Sequence, residues 1–146
     1  MRLKALRGTY VACTYTQETI DALCELQRVY DVPNPVSPED FHTTIEYSRV
    51  YVPFPCETGS RFLANHGWLE TWDVSDGTRC LVLRFESDHL QERHEIGRCL
   101  GATYDFPSYK PHITLSYNVG AAVFPDHEIQ IDLVSDGEYS EELDIE

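Results

Sequence analysis

Two His-x-Thr tripeptides, His42-Thr43-Thr44 and His112-Ile113-Thr114, stand 70 residues apart, and each runs on in strand-like alternation to a tyrosine five places beyond its histidine, Tyr47 and Tyr117. A lone His-x-Thr carries no signal; a pair with repeated flanks is much more specific. The surrounding order repeats as well. Gly8-Thr9-Tyr10-Val11-Ala12-Cys13-Thr14-Tyr15 is rich in β-branched and aromatic residues and reads as a strand. Thr16 is placed to cap a helix with Ile20, Leu23, Cys24 and Gln27 near one face, and Pro33, Pro35 and Pro38 end it in an extended loop. Residues 41–47 return as a strand with the first motif. Further on, Arg79-Cys80-Leu81-Val82-Leu83-Arg84-Phe85 is a strand, Ser87 is placed to cap a helix to about Leu100, Gly101 stops it, and residues 110–118 form a strand with the second motif. The two capping residues are 71 apart, against 70 for the histidines. This is an internal duplication of a β-α-β unit. Two copies related by a pseudo-twofold set equivalent residues face to face across a central cleft.

Between the repeats, residues 48–78 hold Pro53, Pro55 and Gly59, then an aromatic segment with Phe62, Trp68 and Trp72, readable as an extra hairpin or as strands crossing between lobes. After Pro125, Glu128-Ile129-Gln130-Ile131-Asp132-Leu133 alternates polar and apolar, the pattern of a half-buried strand. The expected organisation is a single domain over residues 1–135, of α+β class, with duplicated β-α-β units in a bilobal, mainly antiparallel sheet. An acidic segment, 136–146, follows, either solvated or ordered over a site.

At 146 residues the chain is long enough for one real core. Its charged opening leads straight into strand-like sequence, which predicts neither a signal peptide nor a membrane span. Cys13, Cys24, Cys56, Cys80 and Cys99 are odd in number, lack a C-x-x-C pair and mostly sit in apolar stretches, so reduced core residues are expected, in a cytoplasmic protein. A net charge of −14 argues against a long nucleic acid as partner, because polyanion binding rests on many Lys and Arg contacts. Six of the carboxylates fall in residues 136–146, but the body is acidic without them. A phosphodiester substrate would therefore be small and held in a local pocket.

In a strand, side chains alternate faces, so His42 and Thr44 point one way, as do His112 and Thr114. Each strand offers an imidazole beside a hydroxyl. An ordinary imidazole titrates near neutrality, so one copy in its neutral form and the other protonated can take a proton from an attacking oxygen and give one to a leaving oxygen. The threonine hydroxyls can hold non-bridging phosphate oxygens as charge develops. No metal or other cofactor is needed. His89 and His94, five apart, do not share a helix face as metal ligands would and read as surface residues; His66 and His127 sit in polar, turn-like sequence without an assigned role.

Two His-x-Thr motifs on a duplicated β-α-β chain resemble the 2H phosphoesterase superfamily, which includes the RNA ligase-like cyclic phosphodiesterases. More narrowly, the compact second motif Lys110-Pro111-His112-Ile113-Thr114-Leu115-Ser116-Tyr117 and the opening Leu6-Arg7-Gly8-Thr9-Tyr10 ahead of His42-Thr43-Thr44 resemble the phage anti-CBASS nucleases. Those degrade cyclic di- and trinucleotide messengers of bacterial antiphage signalling. The resemblance implies a metal-independent phosphodiesterase with His42, Thr44, His112 and Thr114 lining the cleft, acting as a monomer in the bacterial host cytoplasm. Candidate base-stacking residues are Tyr10 and Trp72, with Trp68 able to exchange roles with Trp72. Lys110 is a candidate phosphate neutraliser, and Glu141 a candidate acceptor from a base if the acidic segment folds over the pocket. Two rivals stay open: a 2H phosphodiesterase acting on RNA ends or linear 2′-5′ oligonucleotides, and a non-catalytic nucleotide sponge. Which histidine begins as base is open too.

Overall fold

A computed structural model describes residues 7–144. The first six residues, including Leu6 of the opening motif, and the last two acidic-segment residues lie outside them. Six strands and two helices follow in the order β1 (Gly8–Tyr15), α1 (Gln17–Val29), β2 (Thr43–Ser48), β3 (Ser60–Asp73), β4 (Arg79–Arg84), α2 (Asp88–Cys99), β5 (His112–Ser116) and β6 (Glu128–Leu143). All strands join one sheet in the order β2-β1-β6-β3-β4-β5, every pairing antiparallel.

The duplication is visible in that order. The first repeat contributes β2-β1 at one end and the second β4-β5 at the other, with the long strands β6 and β3 paired between them. Each helix starts on the expected cap: the Thr16 hydroxyl accepts from the Thr19 amide at 3.4 Å, and Ser87 Oγ from the Leu90 amide at 3.3 Å. Gly101 follows α2 with φ +107°, a left-handed conformation that ends a helix at little cost only in glycine. The motif strands are the two ends of the sheet, yet the sheet curls enough to bring them together. Thr43 Oγ1 donates to the His112 carbonyl at 2.9 Å and meets the buried Tyr15 hydroxyl at 2.6 Å. The proline loop helps close the gap: Val36 N donates to Leu115 O at 2.9 Å, and buried Gln27 on α1 donates to both Val36 O and Leu115 O.

The core lies between sheet and helices. Val11, Cys13 and Tyr15 of β1, Leu81 and Leu83 of β4, Ile45, Ile113, Leu115 and Leu133 pack with Leu23 and Leu26 of α1 and Leu90 of α2. Ile45, Ile113 and Leu115 are fully buried, and each side chain contributes roughly 1.5–3 kcal/mol by leaving water, so both motif strands are anchored from the face opposite their histidines.

Several sequence expectations change in detail. The segment between the repeats is one long strand, β3, that bridges both lobes through β6 and β4. The boundary expected at residue 135 falls inside β6, whose acidic half pairs with β1, Glu138 beside Cys13 and Glu141 beside Tyr10. The acidic residues join the sheet because backbone pairing with β1 satisfies this stretch, while Glu141 and Glu142 stay in water and Glu138, its side chain 3% exposed, is paired with Arg93. His94 is not a surface residue: it is 4% exposed, stacks at 4.4 Å on Tyr109, donates from Nδ1 to Ile45 O at 2.8 Å and lies 3.1 Å from Glu46 Oε1. His94 stands with Leu90 and Gly97 at i, i+4, i+7 on the buried face of α2, and its partners come from β2 and the loop before β5. The five cysteines are free, but Cys99 is exposed at the end of α2 and only Cys13 and Cys80 are buried.

Candidate active site

Both motif strands carry the same irregularity. In β2, Ala12 of β1 faces Thr44 while the preceding Val11 faces Glu46, so Ile45 is an extra residue; in β5, Val82 of β4 faces Thr114 while Leu81 faces Ser116, so Leu115 is extra. Each is a β-bulge immediately after the motif threonine, and each bulged residue is a fully buried anchor. The bulge shifts the alternation by one. Residues 41–47 and 111–117 therefore show one burial pattern: histidine and threonine half-buried, the residues between and after them buried, the tyrosine exposed. Strict alternation would have put Tyr47 and Tyr117 on the opposite face from the histidines. Beyond the bulge Tyr47 instead meets the site ring of Tyr10 at 6.2 Å.

The histidines are held identically. His42 Nδ1 bonds to Asp40 O and His112 Nδ1 to Lys110 O, each at 2.8 Å and each to the residue two positions earlier. A carbonyl only accepts, so both Nδ1 atoms carry hydrogen and both Nε2 atoms are left for chemistry. The backbone behind Thr44 is pinned by the Tyr109 hydroxyl, which donates to Thr44 O at 2.6 Å. Burial lowers the pKa of His112 below the usual histidine range. The bond to Lys110 O works against this, the positive charges of Arg84 and His42 add to the depression, and Glu70 opposes it.

Tyr10 stands on the His42 side, its ring 6.4 Å from the imidazole and its hydroxyl 2.9 Å from Thr44 Oγ1. Burial raises its pKa far beyond neutrality, although the Thr44 bond pulls the other way, so the phenol keeps its proton. Tyr139 of β6, absent from the sequence-based candidates, packs against it with ring centres 6.2 Å apart. Trp72 stands on the His112 side, edge-on at 4.5 Å and 64°. Trp68 does not exchange roles with it: its indole lies under the Arg84 guanidinium, 5.3 Å away. Both indoles donate to one carboxylate, Trp68 Nε1 to Glu70 Oε2 at 2.6 Å and Trp72 Nε1 to Glu70 Oε1 at 2.9 Å, and Arg84 Nη1 approaches Oε2 at 3.5 Å. Arg84 is the register partner of both Trp68 and His112, which places all three on one face. Burial would raise the Glu70 pKa, but the two indole bonds, Arg84 and Lys110 outweigh it and hold the group below the ordinary glutamate range. Lys110 and Glu141 are both exposed at the margin, Glu141 beside Tyr10 in β6 rather than folded over the pocket.

Sequence reasoning missed Glu70, Arg84 and Tyr139. The spacing Trp68, Glu70, Trp72 puts three residues on one face of a strand, a signal that was available only once the segment was known to be a strand. Among the described residues, one group brings three possible metal-ligand atoms within 4.8 Å: Glu57, His89 and Glu138. It lies away from the histidine pair, on the helix-covered side where Glu138 pairs with buried Cys13. Protein groups already answer its charges. His89 Nε2 meets Glu57 Oε1 at 2.5 Å, and Arg93 grips both Glu138 oxygens at 2.6 and 2.9 Å.

The fold matches solved structures at low identity. Escherichia coli LigT complexed with 3′-AMP aligns with a TM-score of 0.63 at 14% identity, covering 92% of this chain and 86% of that one. LigT complexed with phosphate aligns at 0.57 and 15%, covering 94% and 83%. Sequence relatives are much nearer. A protein of Salmonella phage S16 described as anti-CBASS protein Acb1 is 51% identical over 94% of this chain and 90% of its own length, and its namesake in Enterobacteria phage T4 is 50% identical over 95% and 90%. The family model described as anti-CBASS protein Acb1 matches residues 7–146, from the strand bearing Tyr10 through both histidine motifs to the acidic half of β6. With the family model matching nearly its full length and relatives 50% and 51% identical, the chain belongs to the anti-CBASS protein Acb1 family.

Proposed function

We propose that this protein is a metal-independent phosphodiesterase that opens the 3′-5′ linkages of cyclic di- and trinucleotide messengers in the bacterial host cytoplasm, and so blocks CBASS signalling. The observation that carries the reading is the matched pair itself: two imidazoles with Nδ1 tied to a backbone carbonyl and Nε2 left for the substrate, each beside a threonine hydroxyl. Membership in the anti-CBASS family supports a cyclic nucleotide messenger as the substrate.

His112 starts as the base. Its depressed pKa favours the neutral form, and a positive charge on His42 favours it further. His112 Nε2 takes the proton from the ribose 2′-hydroxyl, whose oxygen bonds to phosphorus. The bond from phosphorus to the 5′-oxygen breaks, and His42 delivers its Nε2 proton to that leaving group. The product is a 2′,3′-cyclic phosphate, which the pair then hydrolyses with roles reversed, water losing a proton to His42 and the 2′-oxygen regaining one from His112. Each acid or base contributes about 10²–10⁴-fold. Thr44 and Thr114 donate to the non-bridging oxygens as charge gathers there. The Tyr10 hydroxyl meets Thr44 Oγ1 at 2.9 Å, and once phosphate takes the threonine's hydrogen the phenol O–H can turn to donate to Oγ1. Tyr10 and Trp72 stack the two bases on opposite sides of the histidine pair, and stacking tolerates different bases. Lys110 and Glu141 meet ligand at the rim, the first through charge on phosphate and the second through a base amino group.

The deciding experiment incubates the purified protein with a panel of cyclic dinucleotides in excess EDTA and resolves the products by chromatography. Linear products bearing a terminal phosphate at wild-type rate are expected. Ligand returned intact would identify a sponge, cleavage only after added divalent metal would overturn the two-histidine chemistry, and preference for longer RNA with steep salt dependence would indicate an enzyme of RNA ends.

A further inference from the structure

Glu70 is the one carboxylate of the site face that accepts hydrogen bonds from two aromatic side chains at once. Its oxygens are divided, Oε2 to Trp68 and Oε1 to Trp72, and these are the only two tryptophans in the chain. A third group, Arg84, lies over the Trp68 ring and beside Oε2, so the carboxylate, both indoles and the guanidinium brace one another. Arg84 Nε is buried with no hydrogen-bond partner, and its side chain is only 14% exposed; the assembly holds it by packing and charge rather than by a full set of donors. An indole that packs edge-on to an imidazole has freedom to swing about its own side-chain bonds unless its N–H is held. Here the N–H is held by a group two residues away on the same strand face.

We propose that Glu70 is a positioning residue for substrate recognition: by holding the N–H of Trp72 it fixes that indole edge-on to His112 as a rigid wall for one nucleobase, with Trp68 and Arg84 as the brace behind it. The proposal rests on the reading of the site as a cyclic-nucleotide phosphodiesterase. Glu70 touches neither substrate nor the reacting atoms. Pre-organisation is the physical gain, since a wall already in place costs no ordering when the base arrives.

The test compares Glu70→Gln, Glu70→Ala, Trp72→Ala and the Glu70→Ala/Trp72→Ala pair. Because both tryptophans bond to Glu70, the emission of the unliganded protein reads the brace directly: a shift in wavelength or intensity is expected for Glu70→Ala and a smaller one for Glu70→Gln, whose amide keeps one acceptor oxygen. With a cyclic dinucleotide as probe, Glu70→Ala should raise KM about fivefold or more, within the loss caused by Trp72→Ala, since one base stack is worth about 1–3 kcal/mol, or roughly fivefold to 150-fold. In the Trp72→Ala background the same change should raise KM less than about twofold, because the wall it holds is gone. Unchanged emission in Glu70→Ala would overturn the proposal whatever the substrate proves to be, so its failure is distinguishable from failure of the phosphodiesterase reading. Equal KM effects with and without Trp72 would also overturn it.

Discussion

Replacing Tyr10 by phenylalanine separates the two roles proposed for this side chain. In the proposed site the ring stacks on a base, and the hydroxyl, 2.9 Å from Thr44 Oγ1, orients the group that would donate to phosphate. Phenylalanine keeps the first and removes the second. A hydrogen bond of this kind is worth about 0.5–1.5 kcal/mol net, and Thr44 is only half-buried, so water partly replaces the lost partner. The expected result is a kcat lower by about two- to tenfold with KM within about twofold of wild type, since the bond bears on the transition state more than on the bound ground state. Alanine at the same position should add a KM increase of about fivefold to 150-fold through the lost stack. The two variants and Thr44→Ala would be compared by steady-state kinetics on a cyclic dinucleotide. The hydroxyl acts through Thr44, so Tyr10→Phe should have little further effect in Thr44→Ala. A Tyr10→Phe enzyme with wild-type kcat, or an undiminished effect without the threonine hydroxyl, would refute the argument and leave Tyr10 as a stacking ring alone.

His42→Ala and His112→Ala should each lower turnover by about 10²-fold or more while calorimetry finds ligand binding largely retained, and a variant keeping a tenth of the wild-type rate would exclude a two-histidine mechanism. The rate should follow a bell in pH whose acid limb, set by deprotonation of His112, lies below the usual histidine range; Arg84→Met removes a charge that depresses this group and should move that limb to higher pH. A 2′-deoxy analogue should bind and resist cleavage, and its cleavage at the ribonucleotide rate would mean that water attacks phosphorus directly. Gly97→Ala should destabilise the fold by about 1–3 kcal/mol in thermal or denaturant unfolding despite the better helix former, because the added methyl would run into the carboxyl end of Glu46, 2.6 Å from Cδ, and Glu46 is buried. In a Glu46→Ala background the penalty of the added methyl should largely vanish.

The architecture was legible because duplication appears twice in the sequence, once in the motifs and once in the helix caps, and a cap such as Thr16 or Ser87 acts through bonds within one turn. The four central residues were legible for the same reason: in a strand, positions two apart share a face whatever the rest of the chain does. Glu70 was not. Its partners Trp68 and Trp72 are local, but their meaning depends on this segment being a strand, and its pairing is with β4, where Glu70 faces Val82 and Trp72 faces Cys80, a register that the alternation of residues 60–73 did not announce. His94 was misplaced although it falls on the buried stripe of α2, four residues after Leu90 and three before Gly97: its polar side chain hid the position, and the partners that satisfy it, Glu46 and Tyr109, come from elsewhere in the chain.

The bulges show most clearly where local reading stops. A period of two carries His42 to Thr44 and His112 to Thr114 correctly and then fails at the next step, where Ile45 and Leu115 are each inserted against a single step of the neighbouring strand. Those insertions let two consecutive residues, Ile45-Glu46 in one repeat and Leu115-Ser116 in the other, face the core, and return Tyr47 and Tyr117 to the exposed side. The shared tyrosine five places beyond each histidine was therefore a real signal of the repeat read with the wrong phase: an odd interval in a regular strand means the opposite face, and an odd interval across one bulge means the same face. Both repeats keep the insertion at the same place, immediately after the threonine, with a fully buried aliphatic side chain filling it. That makes the bulge part of the motif. It anchors the strand beneath the hydroxyl, and it re-aims the chain so that an aromatic ring returns to the exposed side, which in the proposed site is the face of the histidine pair.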